Sequence, residues 1–235
     1  MYIDWYYIVL VLPAVLLSVV ASMRVNSTFK KYSSVIARSG LTGHDAALRV
    51  LYNGGANGVS IDGIAGNLTD NYNPSKKTIF LSQNVINSSS VSAIGVAAHE
   101  AGHAVQHATG YAFFKLRAAI VPVTNFASQI GAVLIPVGIL LCYFGMDFAW
   151  IAYLGVILYS SCFVFQLVTL PTEFNASRRA LKALEATGAL DSTELSQAKK
   201  VLSAAAMTYV AALAVSAMTI FRFLLIIGNA DRRRK

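Results

Sequence analysis

Charge is scarce in this chain. Of its 235 residues only 13% are charged, against about 25% in an average soluble domain, and 56% are apolar. This composition excludes an ordinary soluble domain, and it also excludes a disordered chain, because disordered chains are poor in apolar residues. The two cysteines, Cys142 and Cys162, lie in apolar sequence and form no CxxC pattern. A disulfide framework and a thiolate zinc site are therefore also excluded.

Most of the apolar residues lie in four uncharged runs. Each run has about 20 residues, enough for a helix to cross the hydrocarbon core of a membrane. The runs are Trp5–Met23, Ala118–Tyr143, Ala149–Leu170 and Val201–Phe221. Asp4 precedes the first run and no Lys or Arg does, so we expect a retained anchor rather than a cleaved signal peptide.

Basic residues predict the topology. They flank the two long polar segments, whereas the short loop between the second and third runs has no Lys or Arg. The positive-inside rule therefore places both polar segments in the cytoplasm and the N-terminus outside. The fourth run is ambiguous, because Arg222 shortens it and a spanning helix would put the basic tail Arg232–Lys235 outside. Two alternatives stay open: four spans, or three spans plus an embedded helix.

The polar segments contain several recognisable elements. Helices are predicted over Thr42–Tyr52, capped by Thr42, and over Ser90–Thr109, capped by the serines before it. Lys77–Ser82 is rich in β-branched and aromatic residues and predicts a strand. Thr172–Lys200 predicts one or two amphipathic helices with a break at Thr187-Gly188.

The second predicted helix carries the sequence His99-Glu100-Ala101-Gly102-His103, which has the form HExxH. Residues four apart share one face of a helix and are about 6 Å apart along its axis, so two imidazoles can bind one zinc ion. Glu100 then lies beside the metal, where it can take a proton from bound water. A catalytic zinc also needs a third protein ligand and an open position.

The third ligand can be sought by elimination among four histidines and 11 acids. His107 lies about 12 Å along the helix from His99, which makes it a polar neighbour rather than a ligand, and His44 is expected at the surface. Glu173 directly follows the third run, and the membrane hairpin returns it to the side of His99, so it is the favoured ligand. Of the other acids on this side, Asp45, Asp62 and Asp70 are in turn-rich sequence before the motif. Glu185 is expected at a solvated helix position, and Asp191 and Glu194 in a loop and a helix start.

These residues resemble a known family. The order is an anchor, Leu68–Pro74, Lys77–Ser82, Ala97–His107 and Leu170–Arg179. Over nearly the whole chain this order is similar to the YugP-like bacterial membrane zinc metallopeptidases. The segments with HExxH and with Glu173 also resemble the gluzincin pattern of HtpX-type proteases, which is HExxH plus a glutamate on a following helix. The resemblance implies one zinc ion per chain, with His99, His103 and Glu173 as ligands and Glu100 as general base.

The chain departs from the pattern at three positions. Asn71 and Asn73 stand where the family usually has histidine and aspartate, and Ser177 stands where HtpX-type enzymes commonly have an aspartate that orients a ligand histidine. Ser177 is expected to give a weaker hydrogen bond to that histidine. Such outer partners can change metal affinity or activity by about 10–100-fold.

We therefore expect a mainly α, polytopic membrane protein with three to four transmembrane helices and a small zincin-like α+β catalytic domain on one membrane face. The expected segments are an anchor (1–23), a catalytic segment with the HExxH helix (24–117), a transmembrane hairpin (118–170), a third-ligand helical segment (171–200) and a fourth apolar helix with a basic tail (201–235).

The expected activity is zinc-dependent endopeptidase hydrolysis at the cell membrane, with the site facing the cytoplasm. Tyr209 is a candidate oxyanion stabiliser, and the strand Lys77–Ser82 could hold an extended substrate by strand addition. The partners are the lipid bilayer and a peptide or protein substrate, membrane proteins included; the oligomeric state is open. Alternatives are an intramembrane-cleaving protease and a non-catalytic membrane adaptor that keeps a structural zinc. Nucleic-acid binding is excluded, because the basic residues flank apolar runs.

Overall fold

A computed structural model of the chain describes residues 4–144 and 146–234. A π-helical turn, Tyr7–Val11, leads into the first of eight α-helices in this part of the chain. The helices are α1 (Leu12–Ser33), α2 (Gly43–Asn53), α3 (Gln83–Ile86), α4 (Val91–Ala108), α5 (Ala112–Tyr143), α6 (Ala149–Tyr159), α7 (Ser161–Ala186) and α8 (Ser192–Arg234). The strands are β1 (Ser60–Ile64), β2 (Asn71–Asn73) and β3 (Thr78–Ser82).

Among the described residues, four helical segments are long and apolar enough to cross a membrane, and the protein is a multi-pass membrane protein. These segments are Tyr7–Ser33, Ala112–Tyr143, Ala149–Ala186 and Ser192–Ala230. The mainly α, polytopic architecture predicted from the sequence is confirmed. The fourth run is part of one uninterrupted helix, α8, and Arg222 does not end it.

The described chain forms two compact units. The first contains the residues before Ala21, Leu116–Thr169 and the chain from Thr208 onward, and the second contains Ala21–Lys115 and Leu170–Met207. Within the first unit, helices α5 and α6 approach closely at glycines. A Cβ atom on Gly138 would lie 2.3 Å from the backbone nitrogen of Ala152, so only glycine allows this approach.

Arg222 is buried in the first unit and pairs with Asp4. Its Nε donates to Asp4 Oδ2 (2.9 Å), and its guanidinium lies 5.4 Å from the centre of the Tyr7 ring and 5.3 Å from that of Phe223. The Tyr7 backbone N–H donates to the same carboxylate (2.9 Å). This pairing explains how an arginine is accommodated inside the apolar stretch of α8, because a buried charge needs a partner of opposite sign.

The second unit contains a three-stranded sheet with the order β1-β3-β2. β3 is parallel to β1, with Ser60 opposite Thr78, and antiparallel to β2, with Tyr72 opposite Ile79. The strand predicted at Lys77–Ser82 is present as β3, but it is the central strand. Since both of its edges are already paired, the expectation that it binds substrate by strand addition is wrong.

The core of the second unit combines alanines of α2, α4 and α7 with larger apolar side chains, among them Ile79 and Leu81 of β3 and Leu202 of α8. Thr42 caps α2 and forms a reciprocal capping box with Asp45, and the Ser90 hydroxyl caps α4, so both predicted helices and their caps are confirmed. The predicted break near Thr187-Gly188 is also present, between α7 and α8. The predicted amphipathic helices on either side of this break are not separate elements. They are the last part of α7 and the first part of α8, and each continues into an apolar run.

Removing one partner of the Asp4–Arg222 pair should destabilise the protein. In Arg222→Met the Asp4 carboxylate loses its cation, and breaking a buried pair in this way costs about 3–5 kcal/mol. We expect the thermal midpoint in detergent to fall by several degrees, and part of the loss to return in the double variant Asp4→Asn/Arg222→Met. The exposed Arg24→Met is the control; an equal loss there would contradict this role of the pair.

Candidate metal centre

Helix α4 presents both histidines of the HExxH sequence on one side. The helix begins after Ser90, whose hydroxyl accepts from the Ala93 N–H (3.3 Å). One turn separates His99 from His103, and their rings meet edge to face with 4.7 Å between the centroids. Glu100 lies between them in sequence and is buried.

Glu173 reaches the two histidines from α7. Its Oε2 lies 3.2 Å from His99 Nε2 and 3.5 Å from His103 Nε2. The Glu173 side chain is 3% exposed and that of His99 is 15% exposed, so solvent reaches the cluster from the side of His99. Among the described residues, this is the group of three whose donor atoms all lie close enough to share an ion.

The donor atoms fit a zinc ion. Zinc takes nitrogen and oxygen ligands at about 2.0–2.1 Å in a tetrahedron, which places neighbouring donor atoms about 3.3 Å apart. The two distances from Glu173 Oε2 lie on either side of this value. Two imidazoles and one carboxylate also leave a fourth position open, as a catalytic zinc requires.

A close approach of two backbones brings Glu173 to this position. A Cβ atom on Gly102 would lie 2.6 Å from the carbonyl oxygen of Ala176, which is closer than a real side chain can come. Gly102 lies between the two histidines on α4, and Ala176 is three residues after Glu173 on α7. The absence of a side chain at Gly102 therefore sets the separation of the two helices at the cluster.

Ser177 orients His99. Its Oγ lies 3.1 Å from His99 Nδ1. With His99 Nε2 turned toward Glu173, the Nδ1–H is free to donate to the serine, which fixes the ring and its tautomer. The contact expected at this departure from the HtpX-type pattern is present, with a neutral hydroxyl in place of a carboxylate.

Gln106 orients His103 through a chain of hydrogen bonds. Its Nε2 donates to the Thr172 carbonyl (2.8 Å) and to Asn175 Oδ1 (3.0 Å), so its Oε1 accepts from His103 Nδ1 (3.0 Å). Arg179 Nε donates to the same Asn175 oxygen (2.8 Å). Gln106 is fully buried, and the network ties α4 to α7 on both sides of Glu173. We did not identify Gln106 from the sequence, although its position three residues after His103 places it on the same side of the helix.

Burial raises the pKa of the Glu100 carboxyl to about 7. The Glu173 and Asp70 carboxylates act in the same direction, whereas His99 and the backbone N–H of Tyr72 oppose the shift. A carboxyl group that changes its protonation near neutral pH can both take and give a proton under ordinary conditions. The position and pKa of Glu100 thus suit proton transfer.

A second aromatic and polar group borders the site. The Tyr72 hydroxyl lies 2.8 Å from His107 Nδ1, and Phe114 stacks on the His107 ring with 5.5 Å between centroids. Phe114 also contacts His103, at 6.3 Å between ring centroids. His107 is therefore a polar neighbour, as the helix spacing indicated, and its partner Tyr72 comes from strand β2.

The remaining candidates are not part of the three-residue cluster. Asp45 completes the capping box with Thr42 at the start of α2, and Asp62 is on β1. Asp70 accepts from the backbone N–H of Ser82 (2.8 Å), and burial raises its pKa.

Asn73 Oδ1 accepts from the Lys76 N–H (3.0 Å) and Asn71 Nδ2 donates to the Thr69 carbonyl (2.8 Å), so both asparagines stabilise local turns. Tyr209 is on α8 in the first compact unit, and its expected role stays a prediction.

An HExxH helix beside a glutamate from a later helix, in a chain with four candidate spans, is the arrangement expected of a membrane zinc metallopeptidase. The family described as "Putative neutral zinc metallopeptidase" matches residues 7–228, and the chain belongs to this family. It is also 44% identical over 223 residues to the "Putative membrane protease YugP" of Bacillus subtilis (strain 168), which covers 95% of this chain and 97% of that protein. The family resemblance read from the sequence is confirmed. No solved structure matches the chain.

A methyl group at Gly102 should disturb the cluster selectively. In Gly102→Ala the added Cβ meets the Ala176 backbone, so α7 must move and Glu173 must leave the histidines. We expect zinc affinity, measured by competition with a chromogenic chelator, to fall at least about tenfold. Gly95→Ala is the matched control on the same helix, because its Cβ would meet Ala198 Cβ at an ordinary 3.5 Å. Equal losses in both variants would contradict this role of Gly102.

The shifted pKa of Glu100 should appear in the stability of the metal-free protein. Its ordinary pKa of 4.5 is raised to about 7 on folding, so the free energy of unfolding falls as the pH rises through this window. Glu100→Gln removes the penalty. After chelation we expect the variant to be more stable than the parent protein at pH 8, by on the order of 3 kcal/mol, and the two to converge toward pH 5. Thermal unfolding followed by circular dichroism tests this, and a difference independent of pH would contradict it.

Proposed function

We propose that the protein is a membrane-bound zinc endopeptidase in which His99, His103 and Glu173 bind the metal and Glu100 is the general base. The observation that carries the proposal is the convergence of both Nε2 atoms on one oxygen of Glu173. When bound, zinc supplies a Lewis acid that polarises the scissile carbonyl and lowers the pKa of water toward about 7.

The chain's own residues account for the proton transfers. Glu100 takes a proton from the attacking water and passes it to the leaving amine, and a pKa near 7 favours both transfers. Ser177 and Gln106 hold the two imidazoles so that Nε2 of each stays directed at the metal position. Tyr209 remains the candidate for stabilising the oxyanion.

The free edge of β2 is the better candidate for substrate binding. β2 pairs with β3 on one side, and within the described residues no strand covers its other side. The backbone N–H of Tyr72 on β2 lowers the pKa of Glu100, so this strand lies near the general base. An extended peptide that adds to this edge would lie with its backbone next to Glu100.

We further propose that the site works outside the bilayer, at the cytoplasmic surface. Helix α4 is not part of any of the four candidate spans, and it packs in a unit that contains the sheet. An intramembrane-cleaving site would instead require the HExxH helix to lie in an apolar span. The basic residues that flank both polar segments support the cytoplasmic side.

Two variants separate proton transfer from metal binding. Glu100→Gln keeps the shape of the side chain but cannot accept a proton, so proteolysis of casein should fall at least about 100-fold while zinc content stays at one per chain. Glu173→Ala removes an expected ligand and should lower both zinc content and activity. Zinc content is measured by inductively coupled plasma mass spectrometry, and activity by peptide release in the same detergent.

The outcomes against the proposal are distinct. Cleavage by Glu100→Gln at the parental rate would reject the general base. An unchanged zinc content in Glu173→Ala would place the third ligand elsewhere, and a zinc-loaded parent protein with no Glu100-dependent cleavage would favour the adaptor. Lys200→Gln, an exposed substitution on α8, is the control for zinc or activity that is lost during purification.

A further inference from the structure

A groove of about 910 Å³ lies between the end of α7 and the start of α8, within the second compact unit. The two helices are joined by a short turn at 187–191 and run back along each other as a helical hairpin. The groove does not include His99, His103 or Glu173 among its lining residues. Ser177, whose hydroxyl contacts His99, is among the lining residues, so the groove adjoins the metal centre without containing any of the three expected ligands.

The groove is positively charged. Arg178 and Lys182 line it from α7 and Lys199 lines it from α8, against one acid, Glu185. All four side chains are exposed, and within the described part of the chain no ion pair joins Glu185 to any of the three cations. Exposed hydroxyls from α8, including Ser203, lie among them. The charge and the donors fit an anionic group such as a phosphate.

One end of the groove is apolar. Phe174 and Met207 line it and are 47% and 41% exposed. Along α7, Arg178 and Lys182 come about 6 and 12 Å after Phe174, and along α8, Lys199 comes about 12 Å before Met207. Phe174 comes four residues after the apolar run that ends at Leu170, and Met207 lies within the run that begins at Val201. The apolar end is thus the end at which both helices continue into membrane-spanning sequence.

We propose that this groove binds an anionic phospholipid, with the phosphate between Arg178, Lys182 and Lys199 and the start of an acyl chain against Phe174 and Met207. Basic pockets between helices at the cytoplasmic side of a membrane commonly hold anionic headgroups. An acidic peptide would satisfy the cations but would not account for the exposed apolar end. The proposal does not depend on the metal centre.

The test measures lipid retention rather than proteolysis. The full-length protein in detergent is titrated with phosphatidylglycerol or phosphatidylcholine, and bound lipid is counted by native mass spectrometry. We expect at least about a tenfold preference for phosphatidylglycerol, and loss of that preference in Arg178→Gln/Lys182→Gln/Lys199→Gln. The control Arg24→Gln/Lys30→Gln/Lys200→Gln removes the same number of exposed charges outside the groove. This variant should retain the preference for phosphatidylglycerol.

A charge-conserving variant guards against misfolding: Arg178→Lys/Lys182→Arg/Lys199→Arg should retain phosphatidylglycerol as the parent protein does. An unchanged preference in the glutamine variant of the groove would overturn the proposal. If equimolar hexaglutamate displaces the lipid, the proposal is overturned in favour of an acidic peptide. If equimolar inorganic phosphate displaces it, the proposal is overturned in favour of a site for a simple anion. Because activity is not measured, failure here leaves the proposed peptidase function untouched.

Discussion

The contact between Gly102 and Ala176 is the constraint on which the candidate site depends. A zinc ion needs donor atoms about 3.3 Å apart, but the two histidines and the glutamate come from helices separated by a long stretch of chain. Side chains of ordinary size between α4 and α7 would hold Glu173 away from the imidazoles. A glycine between the two histidines lets the Ala176 carbonyl pass at a distance that no Cβ atom would allow.

The same close packing creates an electrostatic cost that the hydrogen-bond network offsets. Glu100 and Glu173 are both buried near each other, and burial, with the added effect of the Glu173 and Asp70 carboxylates, raises the pKa of Glu100 to about 7. The imidazoles lie between these acids, and Gln106 satisfies His103 while bonding to two groups on α7. Each of the two histidines has a partner at both ring nitrogens, which holds its ring in place, whereas the buried general base Glu100 is retained at the expense of stability.

Local signals predicted the parts of the structure that depend on local interactions. The helix of the HExxH sequence, its serine cap and the scarcity of acids were enough to favour Glu173, and the three residues do come together. β1 was missed because Asp62-Gly63 has the composition of a turn, and its strand forms only by pairing with β3. The continuity of α8 was also not predictable, because Arg222 is accommodated by Asp4, which lies at the other end of the chain.

The sheet shows why strand propensity is a poor guide to substrate binding. β3 has the most strand-like sequence because four of its five residues are buried, and the same burial leaves it paired on both edges. An edge that receives a peptide must stay unpaired and partly exposed, and such positions tolerate polar residues of weak strand propensity. Asn71 and Asn73 are of this kind, and the backbone N–H of Tyr72 between them lowers the pKa of Glu100. Two of the three departures from the family pattern therefore lie on the strand that we propose to bind substrate, and there a change of side chain should alter substrate preference without disturbing the main-chain contacts.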